Sequence, residues 1–221
     1  MELSDVMRTT AAVRDFTDEA VPDAVLHEIL DDARFAPSGG NRQGWHVVVV
    51  EDPVQRRRLA DLCAPVYGEY AAQGALGETP FSVVRPTRAD LAAAAADPPT
   101  NELFADIESV PVVLVIAVDL GALAVLDKDL SRHSIVGGAS VYPFCHNILL
   151  AARDRNIGGV MTTFLTRAED AAREVLGLPD GFALASMAVL GHPVKQITRL
   201  RRQSVEEFTT VDRFDGPAFT G

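Results

Sequence analysis

The apolar positions of this chain change period several times, and each change marks an element. Leu26, Ile29, Leu30 and Ala33 recur at helical spacing and form one apolar stripe behind Pro22 and Asp23. The fixed φ of proline and an acid at the positive helix end both suit a first turn. Ahead of it the spacing predicts a shorter helix over residues 4–10, with Ser4 as its cap. The run Pro37, Ser38, Gly39, Gly40 and Asn41 halts the helical pattern. Four consecutive valines, Val47 to Val50, then read as a strand buried on both faces. Residues 53–62 return to helix, with Arg56, Arg57 and Arg58 on its solvated face. Periodicity dissolves over residues 64–99 into glycines, prolines and alanines, the pattern of a lid or binding loop.

The second half is more apolar. Residues 111–118 predict a second buried strand, and residues 158–164 and 185–190 two more. A helix over 167–176, ended by Gly177, separates the last pair. Residues 134–153 are apolar nearly all round and predict a buried central helix. Gly137, Gly138, Ala139 and Ser140 allow another backbone to approach it, and Pro143 kinks it or starts a new helix. Residues 193–221 form a polar, arginine-rich tail with little core-forming power.

Length and composition narrow the picture. A chain of 221 residues without repeats or linkers predicts one domain over 1–221, with 64–103 as a variable lid-like insertion and 193–221 as a C-terminal arm. No apolar run is long enough for a bilayer span, and the acidic start lacks a signal-peptide pattern. A cytoplasmic protein with no membrane partner is expected. The net charge of −11 excludes sequence-independent nucleic-acid binding, which needs cations to displace counterions. Cys63 and Cys145 make no disulfide framework and read as buried thiols, and the five histidines have no metal-ligand spacing. Glycine-rich nucleotide fingerprints, the P-loop, zinc-protease motifs and the serine-hydrolase elbow are all absent. If this chain is an enzyme, its reactive group belongs to a cofactor.

Three separated segments point to which cofactor. They are Arg8-Thr9-Thr10-Ala11-Ala12-Val13-Arg14-Asp15-Phe16, then Ala36-Pro37-Ser38-Gly39-Gly40-Asn41-Arg42-Gln43-Gly44-Trp45, then Tyr142-Pro143 followed by Asn147 to Arg153 and Gly158-Gly159-Val160-Met161-Thr162-Thr163. Leu176-Gly177-Leu178-Pro179, Leu190-Gly191-His192-Pro193 and Arg202-Gln203-Ser204-Val205-Glu206-Glu207 follow in order. The ordered set resembles the nitroreductase family of FMN-dependent oxidoreductases. The resemblance implies an α+β fold: a mostly antiparallel sheet, surrounding helices and a buried central helix, built as an intertwined homodimer with FMN between the subunits.

By the same resemblance the flavin phosphate falls to Arg8, Arg14, Arg201 and Arg202, whose guanidinium forks suit a dianion. The turn carrying Ser38, Asn41 and Gln43 is expected to touch the flavin, with Trp45 beside it in the core. Met161, Thr162 and Thr163 are expected at a strand end against the isoalloxazine ring. Two departures stand out: Thr10 and Ala12 replace the Arg and Ser that the family shows before Arg14, so Arg8 becomes the substitute one helical turn earlier, and Gly44 replaces a proline. The implied activity passes two electrons from NADH or NADPH to a nitroaromatic, quinone or similar small acceptor by a ping-pong mechanism, with no catalytic side chain and no metal. A flavin-sequestering protein with little turnover, or a dehalogenase-like or flavin-modifying relative, is the alternative.

Overall fold

A computed structural model describes residues 1–221. Its framework is four strands, β1 (Trp45–Val49), β2 (Val112–Asp119), β3 (Gly158–Thr162) and β4 (Phe182–Gly191), all antiparallel and ordered β1-β2-β4-β3. Successive side chains of a strand face opposite sides, and β2 and β4 serve two cores at once. Leu114, Ile116, Ala188 and Leu190 face one side, where they meet Ile29 and Ala33 of α2 (Asp23–Ala33) and Phe144, Cys145, Ile148 and Ala152. Val113, Val115, Met187 and Val189 face the other, against Leu59, Ala60 and Cys63 of a long helix and against Phe104 and Leu165. Both free cysteines are buried, and burial pushes the Cys63 thiol up to about 12. No helix is long and apolar enough to cross a membrane.

Several expectations from local pattern need correction. The helix α1 spans Leu3–Thr9, so Ser4 lies inside it and makes no cap hydrogen bond. The valine run is not fully buried on both faces: β1 is an edge strand in which Val47 and Val48 are half-buried and Val49 is 40% exposed. The helix expected to end at Leu62 continues as α3 (Pro53–Ala75), past Pro65. Leu59, Cys63 and Val66 continue its buried stripe, so tertiary burial outweighs the lost backbone hydrogen bond of an internal proline. The stretch 64–103 is therefore half helical, with α4 (Leu91–Ala96) and α5 (Glu102–Ala105) after the end of α3. α4 rests on α3 at Gly68, where a Cβ would lie 2.2 Å from the Ala94 carbonyl oxygen.

Arg56 also departs from its expected solvated face. It is buried, with Nε donating to Val50 O (2.7 Å) and Nη1 to Val110 O (2.6 Å) and Glu108 O (3.1 Å).

Of the two outcomes expected at Pro143, a kink or a new helix, the second holds: a 3-10 turn, Val136–Ser140, precedes α6 (Tyr142–Asp154), whose first turn carries Pro143. α6 is central but not enclosed in the protomer. Phe144, Cys145, Ile148 and Ala152 pack inward, whereas Tyr142 and His146 are exposed. β3 stops at Thr162, two residues short of expectation, and Phe164 opens α7 (Phe164–Arg167), followed by α8 (Glu169–Leu176). Gly177 closes α8 in the left-handed conformation, φ 64°.

The tail contains only the short α9 (Val205–Phe208). It begins along the N-terminal segment, with Val194 N donating to Asp15 O and Gln196 Nε2 to Thr9 O. Beyond Ile197 every hydrogen bond of the tail goes to another tail residue. Phe208, Phe214 and Phe219 are exposed.

The loop before α6 is organised by Asp127, which is 4% exposed. Its carboxylate accepts from the backbone N–H of Ile135 (2.9 Å), from Ser134 Oγ (2.7 Å) and from Arg132 Nη1 (2.7 Å). These donors, the Ile135 amide foremost, hold its acidity well below the usual carboxylate range. A depressed folded pKa contributes stability above the unfolded value of about 4, and that contribution fades as pH falls through the folded value. Asp127→Asn is therefore expected to speed tryptic cleavage at Lys128 and Arg132 several-fold at pH 7. Equal digestion rates for variant and wild type would show that the carboxylate does not hold this loop.

Candidate functional site

Residues 12–17 run beside β3. Val13 N donates to Gly159 O (2.9 Å) and Thr17 N to His192 O (2.8 Å). The close fit needs glycine: a Cβ on Gly158 would lie 2.8 Å from Val13 Cγ2, and one on Gly159 2.6 Å from Val189 O. Val13 is buried, and its neighbour Arg14 is left at the mouth of a cavity of about 610 Å³. The end of β3, Met161 and Thr162, lines the same cavity, with Thr163 at the turn into α7. Tyr70 of α3, Phe81, Phe104 of α5, and Phe164 and Arg167 of α7 also line it.

The chemistry of this cavity is uneven. Its only charged lining residues are Arg14 and Arg167, in a chain of net charge −11. Arg14 makes no ion pair within the chain. The Thr162 hydroxyl oxygen is buried with no hydrogen-bond partner, an arrangement that costs about 1–3 kcal/mol unless a ligand satisfies it. On the other side of Arg14 a second cavity, about 350 Å³, is lined by Asp15, Asp18, Glu102 and Asp106. Arg14 thus stands at the border between an aromatic, cation-bearing hollow and an acidic one.

The cavity unites Arg14, Met161, Thr162 and Thr163 of the residues predicted from sequence. It does not include Ser38, Asn41 or Gln43. These sit on the turn before β1, where Ser38 Oγ accepts from Gln43 N (3.0 Å) and Gln43 Nε2 donates to Asn41 Oδ1 (3.2 Å). Gly39 N donates to Ser140 Oγ (3.0 Å), which ties the turn to the segment before α6. Asn41 and Gln43 hold φ of 52° and 50°, a left-handed conformation that costs a glutamine more than an asparagine. β1 and β3 are opposite edges of the sheet, three inter-strand steps of about 4.8 Å apart. Within one chain the turn and the cavity cannot meet.

Nor does the single chain gather the other arginines. Arg8 is exposed on α1, and Arg201 and Arg202 are exposed in the tail, where Arg202 Nη1 donates to Arg201 O (2.7 Å). Trp45 takes the expected core role, stacked on Phe144 with ring centroids 4.6 Å apart. Sequence reasoning missed Tyr70, Phe81, Phe104 and Arg167. The available signal was the aromatic residues that punctuate an otherwise alanine- and proline-rich stretch.

The Nitroreductase family model matches residues 7–192. A putative NADH dehydrogenase/NAD(P)H nitroreductase of Archaeoglobus fulgidus is 25% identical over 194 residues, covering 87% of this chain and 86% of the relative. A nitrobenzene nitroreductase of Ectopseudomonas oleovorans is 25% identical over 223 residues, covering 94% of this chain and 96% of the relative. Among solved structures, the NADPH:FMN oxidoreductase of Vibrio harveyi complexed with NAD+ superposes with a TM-score of 0.68 at 19% identity, covering 96% of this chain and 78% of that one. That last likeness speaks for the fold alone.

Proposed function

The chain belongs to the nitroreductase family, and from that premise we propose that it is an FMN-dependent oxidoreductase that takes two electrons from NADH or NADPH and delivers them to a nitroaromatic, quinone or similar small acceptor. The observation that carries this reading is the cavity joining Arg14 to the end of β3, a strand end whose Thr162 hydroxyl is buried and unsatisfied. Its volume lies in the range of about 300–1,000 Å³ usual for small-molecule sites. A planar, polar-edged ring suits these walls: apolar and aromatic faces for its plane, Thr162 and Thr163 for its edge, a guanidinium for its anionic part.

Bound FMN supplies the electron-carrying ring. The protein binds it, orients it and keeps water from it. Thr162 is assigned the flavin edge, where a hydrogen bond made in place is a preorganised dipole. Arg14 offers paired donors to an anion. Ser38, Asn41 and Gln43 reach the flavin from a second subunit, since their own cavity lies at the opposite edge of the sheet. Arg201 and Arg202, with Arg8 beside them, complete the phosphate grip when the tail lies across the partner. Exposed Phe208, Phe214 and Phe219 support such an exchange of arms, a low-cost route to symmetric dimers.

The test is direct. The purified protein is expected to be yellow, to lose its visible flavin band under anaerobic NADH or NADPH, and to regain it on addition of a nitroaromatic. Colourless protein that takes up no added FMN would falsify the reading. Retained flavin that neither nucleotide bleaches would assign the chain to flavin sequestration instead.

A further inference from the structure

One cation in the cavity is left over once the flavin has been given its partners. Arg167 closes α7 and lines the same cavity as Arg14. Its Nε donates to Glu69 Oε2 (2.7 Å), and its guanidinium lies over the Phe81 ring, 5.1 Å from the centroid. No hydrogen bond of the chain engages either Nη group. The guanidinium is thus fixed at its base and stacked on one face, with its outer edge open to the cavity.

The stacking partner is itself held at a cost. Phe81 has φ 54°, a left-handed backbone that bulky side chains rarely adopt. It is kept there by the buried Gln73, whose Oε1 accepts from Phe81 N (2.9 Å). Non-glycine residues held in such conformations cluster at ligand clamps. Around the pair, the rings of Tyr70 and Phe104 each meet Phe164 edge-on, at 5.4 and 5.9 Å between centroids. The hollow therefore combines edge-on aromatic rings with a planar fork that matches carboxylate geometry.

We propose that Arg167, braced by Glu69 and Phe81, is a specificity-determining residue that selects planar aromatic acceptors bearing a carboxylate. The assignment rests on the flavin-oxidoreductase reading above. Glu69 offsets the charge of Arg167 but uses only one of its donors, so selection works through directed hydrogen bonds more than through net field.

The test uses the FMN-loaded protein, saturating NADH, and nitrobenzene and 4-nitrobenzoate as matched probes. In Arg167→Gln the KM for 4-nitrobenzoate is expected to rise about tenfold or more, as losing a charge-assisted hydrogen bond requires. The KM for nitrobenzene should move less than about twofold on the same scale. Benzoate, which cannot be reduced, provides a readout without turnover. Its titration against the oxidised flavin spectrum should weaken in parallel. Arg167→Lys, which keeps the charge and loses the fork, should fall between wild type and Arg167→Gln, and it serves if the glutamine variant folds poorly. Equal effects on both nitro compounds, or none, overturn the proposal while leaving the oxidoreductase intact. A rise confined to the KM of NADPH over NADH also overturns it, by giving the fork to the dinucleotide phosphate. A wild-type protein that binds no FMN removes both readings together, so the two failures are distinguishable.

Discussion

Arg56→Met is expected to cost about 3–5 kcal/mol of stability, the range for breaking a buried charged network. The guanidinium is the only donor reaching three backbone carbonyls, those of Val50, Glu108 and Val110. Val50 and Val110 are buried, so water cannot replace the lost bonds without opening the joint between α3, β1 and β2. Burial pulls the Arg56 pKa below its usual value, and the nearby Glu51 carboxylate partly restores it. Its three hydrogen bonds make Arg56 a strut between α3 and the ends of β1 and β2. Methionine fills the space of the side-chain stem and leaves the carbonyls bare. Urea denaturation followed by circular dichroism measures the loss, and a change under about 1 kcal/mol would mean that the carbonyls find other partners. Since Val110 leads into β2 and Glu108 follows α5, the damage should spread to the cavity wall at Phe104.

Ending the chain after Gln196 is expected to act in the opposite way, sparing the protomer and abolishing its assembly. Beyond Ile197 the tail makes hydrogen bonds only with itself, and its phenylalanines are exposed. The core loses almost nothing, and the thermal midpoint of the isolated protomer should shift by no more than a few degrees. Loss of Arg201 and Arg202, each a charge-assisted contact of about 1.5–3 kcal/mol, predicts FMN affinity at least about 100-fold weaker. Sedimentation should report a dimer for the full chain and a protomer for the shortened one. A truncated protein that remains dimeric and yellow would place both the interface and the phosphate site elsewhere.

These two outcomes separate what a local pattern can reveal from what it cannot. The stripe of α2 and the runs of β2 and β4 were legible because one element supplies its own periodicity, and burial on both faces leaves polar residues out. The motif order was legible too, and with it the family. Arg56 was misread for a physical reason. Beside Arg57 and Arg58 it looks like part of a charged surface, and nothing nearby in sequence shows that Glu108 and Val110 will present carbonyls to it. α3 is expected to end at Leu62, where glycines and prolines begin, but Cys63 is buried against a sheet formed far along the chain and the helix runs on past Pro65. The same distance hid Tyr70, Phe81, Phe104 and Arg167, which have no shared period.

The amino-acid sequence by itself determined the segments that would form the main strands and helices and, through the order of its motifs, the membership of a family whose resemblance implies the antiparallel α+β class, because each depends on residue type and on order along the chain. Only the tertiary structure decided that Arg14 meets the end of β3, that the Ser38–Gln43 turn lies at the opposite sheet edge, and that Arg167 faces the cavity on a strained Phe81. The order of strands and the need to satisfy buried polar groups set those neighbours, and both are properties of the assembled chain.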